Sequence, residues 1–262
     1  MIAERPAGEP VYHQRDEERS FNRPSRARPL LTGAIGSVTL PLAARRPFHW
    51  ARANPLGTLA QMRRHPAVLL MLGALFLWQL AHQVLPSTWA FYTIFKFHST
   101  SAEVGYSLAF VGAAISIAQG VFTRVLIPWM SGERRAALVG MGCALLAYLG
   151  YAFASVGWVM YVVSLTTFVF ELTYPSMNAL ASQQIPANAQ GELQGAVATL
   201  YSLSAILGPP LMTQVFAYFS GPSATLYFPG AAFVTAALLT AACALLFVRA
   251  LRLAPQRAAP EA

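Results

Sequence analysis

Apolar residues fall in six long runs, at 67–91, 104–126, 136–154, 158–180, 196–219 and 228–248, separated by short stretches in which Gly, Pro, Arg, Ser and Thr collect. Each run is close to the roughly 20 residues that a helix needs to cross the apolar core of a bilayer. The pattern predicts an all-α membrane protein, a six-transmembrane-helix bundle over residues 67–253. Residues 1–44 read differently: they are polar and Arg-rich, with Pro6, Pro10, Pro24, Pro29 and Pro41 scattered through them. The mildly apolar stretch 30–44 is too short and too broken by Gly and Pro to span. The expectation for residues 1–44 is a disordered or non-native leader. Residues 254–262 read as a cytoplasmic tail.

Polar residues inside the runs are not scattered. In the fourth run Ser164, Thr167, Glu171, Tyr174 and Asn178 recur at steps of three and four. At about 100° per residue they occupy an arc of about 80° on a helix. Gln79, His82, Gln83 and Pro86 share a face in the first run, as do Gly112, Ser116, Gln119, Gly120 and Thr123 in the second. Polar groups within a bilayer must face protein or a water-filled cavity. Three such stripes predict a shared polar interior.

Charge then orients the bundle. The chain is 56% hydrophobic and only 11% charged, with a formal charge of +8. That charge points away from nucleic acid, because nearly all basic residues lie outside the runs. Arg45, Arg46, Arg52, Arg63 and Arg64 precede the first run; Arg124, Arg134 and Arg135 follow or end the second; Arg249, Arg252 and Arg257 follow the sixth. Lys96 alone lies between the first two runs. Basic loops face the cytoplasm, so both termini are expected there. Trp89, Trp129 and Trp158, near run ends, are expected in the aromatic belts. Cys143 and Cys243 lie inside runs and have neither metal nor disulfide spacing, so they read as small packing residues.

Candidate chemistry is sparse. Glu171 is the acidic residue deep inside a run; it reads either as a cavity group that binds a cation or carries a proton, or as a protonated side chain bonded to a neighbouring helix. His82, about a turn from the far end of its run, reads as a titrating group or as an interhelical hydrogen bond. Gln79, Gln83, Gln119 and Asn178 read as substrate contacts or as interhelical glue. Gly208-Pro209-Pro210 is expected to break the fifth run near its middle, as a gating break or a static kink. Gly191 with Gly195, and Gly112 with Gly120, are expected to allow close helix approach. No nucleophile motif, phosphate loop or metal spacing is present, and the one Asp, Asp16, lies in the polar leader. An enzyme with Glu171 as base would need a partner that the sequence does not display.

The loops carry a resemblance. Gln119-Gly120, Thr123-Arg124 and Gly132-Glu133-Arg134-Arg135 together resemble the second copy of the loop motif of the major facilitator superfamily, which joins the second and third helices of each half. Gln184-Ile185-Pro186-Ala187-Asn188-Ala189-Gln190-Gly191-Glu192-Leu193-Gln194-Gly195 resembles a signature of its tetracycline-efflux branch, as do His82-Gln83-Val84-Leu85-Pro86-Ser87-Thr88-Trp89, Gly208-Pro209 and Gly221-Pro222-Ser223. Arg46-Pro47-Phe48, Trp50 and Asn54-Pro55 resemble the end of that family's central cytoplasmic loop, which assigns 45–66 to it. The resemblance runs from about Arg45 to Leu253 and covers the second half of the family pattern.

That resemblance implies one half of a major facilitator fold, in a multi-pass protein of the bacterial inner membrane. It implies a drug exporter of the tetracycline type that exchanges a small-molecule drug, as a divalent-metal–drug chelate, for protons, with no resident cofactor or metal and no covalent chemistry. His82, Gln83, Gln119, Glu171, Tyr174 and Asn178 would line the cavity. Gly120, Arg124, Gly132, Arg134 and Arg135 would form the gate loop. The family site lies between two six-helix halves, so the expected partners are the lipid bilayer and an N-terminal half, and the chain by itself is expected to be truncated and inactive. The rival reading is a non-transporting membrane fragment, or an interaction partner of a separate N-terminal half.

Overall fold

A computed structural model of the chain describes residues 66–254, apart from Ser223 and Thr225. Most of the expected leader, loop and tail, at 1–65 and 255–262, lies outside the described residues. Among the described residues, six helical segments are long and apolar enough to cross a membrane, Pro66–Phe97, Ser101–Gly120, Glu133–Phe153, Gly157–Gln183, Ala187–Ser220 and Ala231–Leu253. The described residues hold no strand. The chain is a multi-pass membrane protein built as a six-helix bundle.

The first span is α1 (Pro66–His82) and α2 (Val84–Phe97), separated at Gln83. The second is α3 (Ser101–Ile117), a π-helical turn at Ala118–Phe122 and α4 (Thr123–Trp129). The third is α5 (Glu133–Phe153). The fourth comes in three pieces, α6 (Gly157–Ser164), α7 (Thr167–Phe170) and α8 (Thr173–Gln183). The fifth is α9 (Gln190–Ser220) and the sixth α10 (Ala231–Leu253).

Local chemistry sets the ends. Pro66 opens α1, where its missing amide hydrogen costs nothing. Thr100 caps α3 in a capping box: Glu103 N donates to Thr100 Oγ1, and Thr100 N donates to Glu103 Oε2 at 2.7 Å. The chain enters α5 through Ser131 at φ 62° and Gly132 at φ 105°, and only glycine adopts the second without strain. Gln190 Nε2 donates to the Ser182 and Ile185 carbonyls and so ties the end of α8 to the start of α9.

Packing centres on the first span. α10 lies along α1 and against α5, α5 carries α7 and α8, and α9 lies against α1 and α2. Small residues set the closest approaches, but not those expected. Gly112, Gly120, Gly191 and Gly195 all face open space. The close contacts are Gly140 on Thr173, Gly150 on Val163, Gly208 on Gln83 and Gly230 on the Ala152 backbone. Glycine spacing reveals a smooth helix face without revealing whether another helix covers it.

Two further expectations change. Gly208-Pro209-Pro210 does not break the fifth span: α9 continues through it as one helix of 31 residues. The prolines remove the donors that the Ala205 and Ile206 carbonyls would otherwise meet, while Thr213 Oγ1 donates to the Pro209 carbonyl at 2.7 Å. Trp89 is buried rather than in a belt, because the first span runs on to Phe97. Its Nε1 donates to Ser107 Oγ at 2.9 Å and its ring meets Tyr151 edge-on. Trp129 and Trp158 are exposed. Cys243 is fully buried and Cys143 half-buried.

Candidate functional site at the helix interruptions

The interruptions coincide. α1 ends at His82, the π-helical turn of the second span holds Gln119, and Glu171 is the residue at which α7 stops. These three side chains meet. Gln119 Nε2 donates to Glu171 Oε2 at 3.2 Å, and His82 Nε2 stands 3.8 Å from Glu171 Oε1. Glu171 thus has partners that the sequence alone did not display, from two other spans. Because the first span reaches Phe97, His82 also lies near its middle and not a turn from its end.

Aromatic rings hold the cluster. The His82 ring stacks on Trp78 at 6.5 Å and meets the edge of Phe170 at 6.0 Å; Trp78 and Phe170 are themselves 6.4 Å apart. Trp78, Phe170 and Tyr148 are buried. The Glu171 side chain is only 10% exposed while that of His82 is 30% exposed, so the pair opens on the histidine side.

Glu171 Oε1 and His82 Nδ1 are buried atoms without a hydrogen-bond partner, and the Thr173 and Ser176 hydroxyl oxygens nearby in sequence share that state. Buried polar atoms are normally satisfied. At 3.8 Å the imidazole and the carboxylate are within ion-pair reach and beyond an ordinary hydrogen bond.

Of the other residues expected at the cavity, Gln83 lies beside this cluster in sequence and packs against Gly208 of α9. Tyr174 is half-buried and packs on the core. Asn178 does not join the cluster; its Oδ1 accepts from Gln194 Nε2 at 3.4 Å, tying α8 to α9. In the expected gate loop, Gly120 lies in the π-helical turn and is exposed, Arg124, Arg134 and Arg135 are exposed, and Gly132 makes the turn into α5. Sequence reasoning missed Trp78 and Phe170, whose apolar character hid them among core residues.

Comparison with known proteins gives a consistent picture. The sequence pattern of the Major Facilitator Superfamily matches residues 10–209, a stretch that begins inside 1–44 and ends inside α9. The class C tetracycline resistance protein of Escherichia coli is 30% identical over 173 residues, 66% of this chain and 43% of that protein. The class G tetracycline resistance protein of Vibrio anguillarum is 35% identical over 176 residues, 63% of this chain and 44% of that protein. Hippocampus abundant transcript-like protein 1 of Bos taurus is 28% identical over 196 residues, 75% of this chain and 36% of that protein. The chain spans less than half the length of each of these relatives.

Proposed function

The chain belongs to the major facilitator superfamily, and from that premise we propose that it forms one six-helix wall of a proton-coupled exporter of tetracycline-type drugs. The observation that carries this is the meeting of His82, Gln119 and Glu171 where three spans each leave regular α-helix. Interrupted helices in transporters border binding sites near the bilayer midplane, and π-helical turns are frequent at functional sites. A proton on the His82–Glu171 pair neutralises the carboxylate; its departure leaves an anionic group for a cationic metal–drug complex. No covalent chemistry is involved, and proton and drug act by biasing which way the cavity opens.

The second and fifth spans support a second wall. Ser116 and Gln119 on one, and Ser202 and Gln214 on the other, are exposed polar residues inside apolar helices. Such groups belong against protein or water, not lipid. The reading therefore places a complementary N-terminal six-helix half against these spans, in a bacterial inner membrane, with both termini of this chain cytoplasmic.

The test is drug efflux from a sensitive host that makes this chain alone, or makes it together with the N-terminal half of a class C or class G relative. Resistance with the added half and none from the chain alone is the expected result. Resistance from the chain alone would replace the two-wall reading. No resistance in either case, with the protein in the membrane, would leave a non-transporting fragment.

A further inference from the structure

A cavity lies away from the His82–Glu171 cluster, at the end of the bundle that carries Lys96. It has a volume of about 270 Å³ and is bordered by α2, α3 and α6, with Glu103 and Trp158 at its open side. That is just below the roughly 300–1,000 Å³ of pockets for drug-sized molecules, so its occupant is small. Four aromatic side chains, Trp89, Phe97, Trp158 and Tyr161, line it together with one carboxylate, Glu103.

Three polar groups of this cavity have used their donors elsewhere. Trp89 Nε1 donates to Ser107 Oγ, Ser107 Oγ to the Val104 carbonyl at 2.7 Å, and Thr93 Oγ1 to the Trp89 carbonyl at 3.0 Å. What these three still offer a ligand is oxygen lone pairs and a ring; the Ser99 and Tyr161 hydroxyls and the Trp158 indole N–H are further polar groups on the lining. Glu103 is held in place by its capping box, with both Thr100 bonds ending on Oε2, so Oε1 is left for a ligand. Lys96, the basic residue at this end, spends its ammonium on Tyr92 Oη at 2.8 Å and the Ala152 carbonyl at 3.3 Å. Aromatic faces with one fixed carboxylate and spare acceptors suit a cation, and above all an alkylated ammonium, which needs few directed hydrogen bonds.

We infer that this cavity binds an ammonium group, presented by a small soluble amine or by the headgroup of a zwitterionic lipid. Its three walls continue into the three spans that carry His82, Gln119 and Glu171, each through an interruption of the α-helix. A ligand here ties together the ends of those spans. The inference stands on the cavity itself and not on the export reading.

Equilibrium binding of labelled choline to the full chain in nanodiscs tests it. In discs of phosphatidylglycerol alone, saturable binding is expected, with no competition from the neutral isostere 3,3-dimethylbutanol. Glu103→Gln and Trp158→Leu should each weaken it about tenfold or more, since each removes one of the attractions for the cation. Gln still serves as the third residue of a capping box, and the Trp158 ring is 66% exposed, so both variants should elute as the parent does. Weaker choline binding in discs containing phosphatidylethanolamine identifies the lipid headgroup as the source; equal binding identifies a soluble amine. Absence of saturable binding overturns the inference, as does equal competition by the isostere, or parental affinity in both variants.

Discussion

If Glu171 is held at mid-bundle for transport, replacing it with leucine should not destabilise the fold. The substitution removes the 3.2 Å hydrogen bond from Gln119; interhelical bonds of this kind average about 0.6 kcal/mol and reach about 1.7. It also removes the 3.8 Å approach of His82, whose ring is 30% exposed and keeps its own access to solvent. Against these losses stands the cost of holding a charged group at mid-membrane, about 2.5–3.5 kcal/mol on insertion scales. Leucine beside Phe170 and Tyr148 incurs none of it. The balance favours the Glu171→Leu chain by about 1–3 kcal/mol. Reversible unfolding in mixed micelles, followed by helical circular dichroism as the dodecyl sulfate fraction rises, measures the difference. Efflux in the two-half assay should be lost at the same time. A destabilisation of about 3 kcal/mol or more would refute the reasoning, because that is what breaking a structural buried pair costs.

Gly208→Ala places a methyl group against Gln83 Cβ and Cγ; it should destabilise by about 1–3 kcal/mol despite the better helix propensity of alanine, and Gln83→Ala should restore stability, whereas additive losses in the same unfolding assay would count against the contact. Gly132→Ala should lose about 1–3 kcal/mol, since φ is 105° at this position; an unchanged midpoint would show that the turn rearranges freely. A reporter that is active only outside the cytoplasm should stay dark when fused after Arg257, and a bright signal would reverse the orientation drawn from the arginine loops.

The six spans could be read from the sequence because burial in lipid demands long apolar runs, and that demand is blind to tertiary detail. Residue stripes are another matter. The stripe Ser164, Thr167, Glu171, Tyr174 and Asn178 was drawn at a constant 100° per residue, yet α-helix lapses at 165–166 and again at 171–172. Its members therefore go to different partners. Ser164 Oγ is 3.0 Å from Tyr151 Oη of α5, Glu171 meets Gln119 and His82, and Asn178 meets Gln194. Periodicity found polar residues that face protein, but it could not say which protein.

The same limit explains the misplaced break. Proline chemistry pointed to the fifth span, where the helix absorbs two prolines and continues. The interruptions that meet fall instead at Gln83, Ala118–Phe122 and Glu171–Leu172, positions with no proline or glycine pair to announce all three. What they share is a polar side chain at or beside the lapse, directed at the same point in space. A backbone that leaves the α-helical ladder frees carbonyls and turns side chains out of register, and within a bilayer that is tolerated only where other protein or a cavity receives the freed groups. Three spans make that concession at one level. Individually each lapse would be a local irregularity; together they mark the place where the bundle gives up regular packing, and it is there that the proposed export reading puts the proton and the polar substrate.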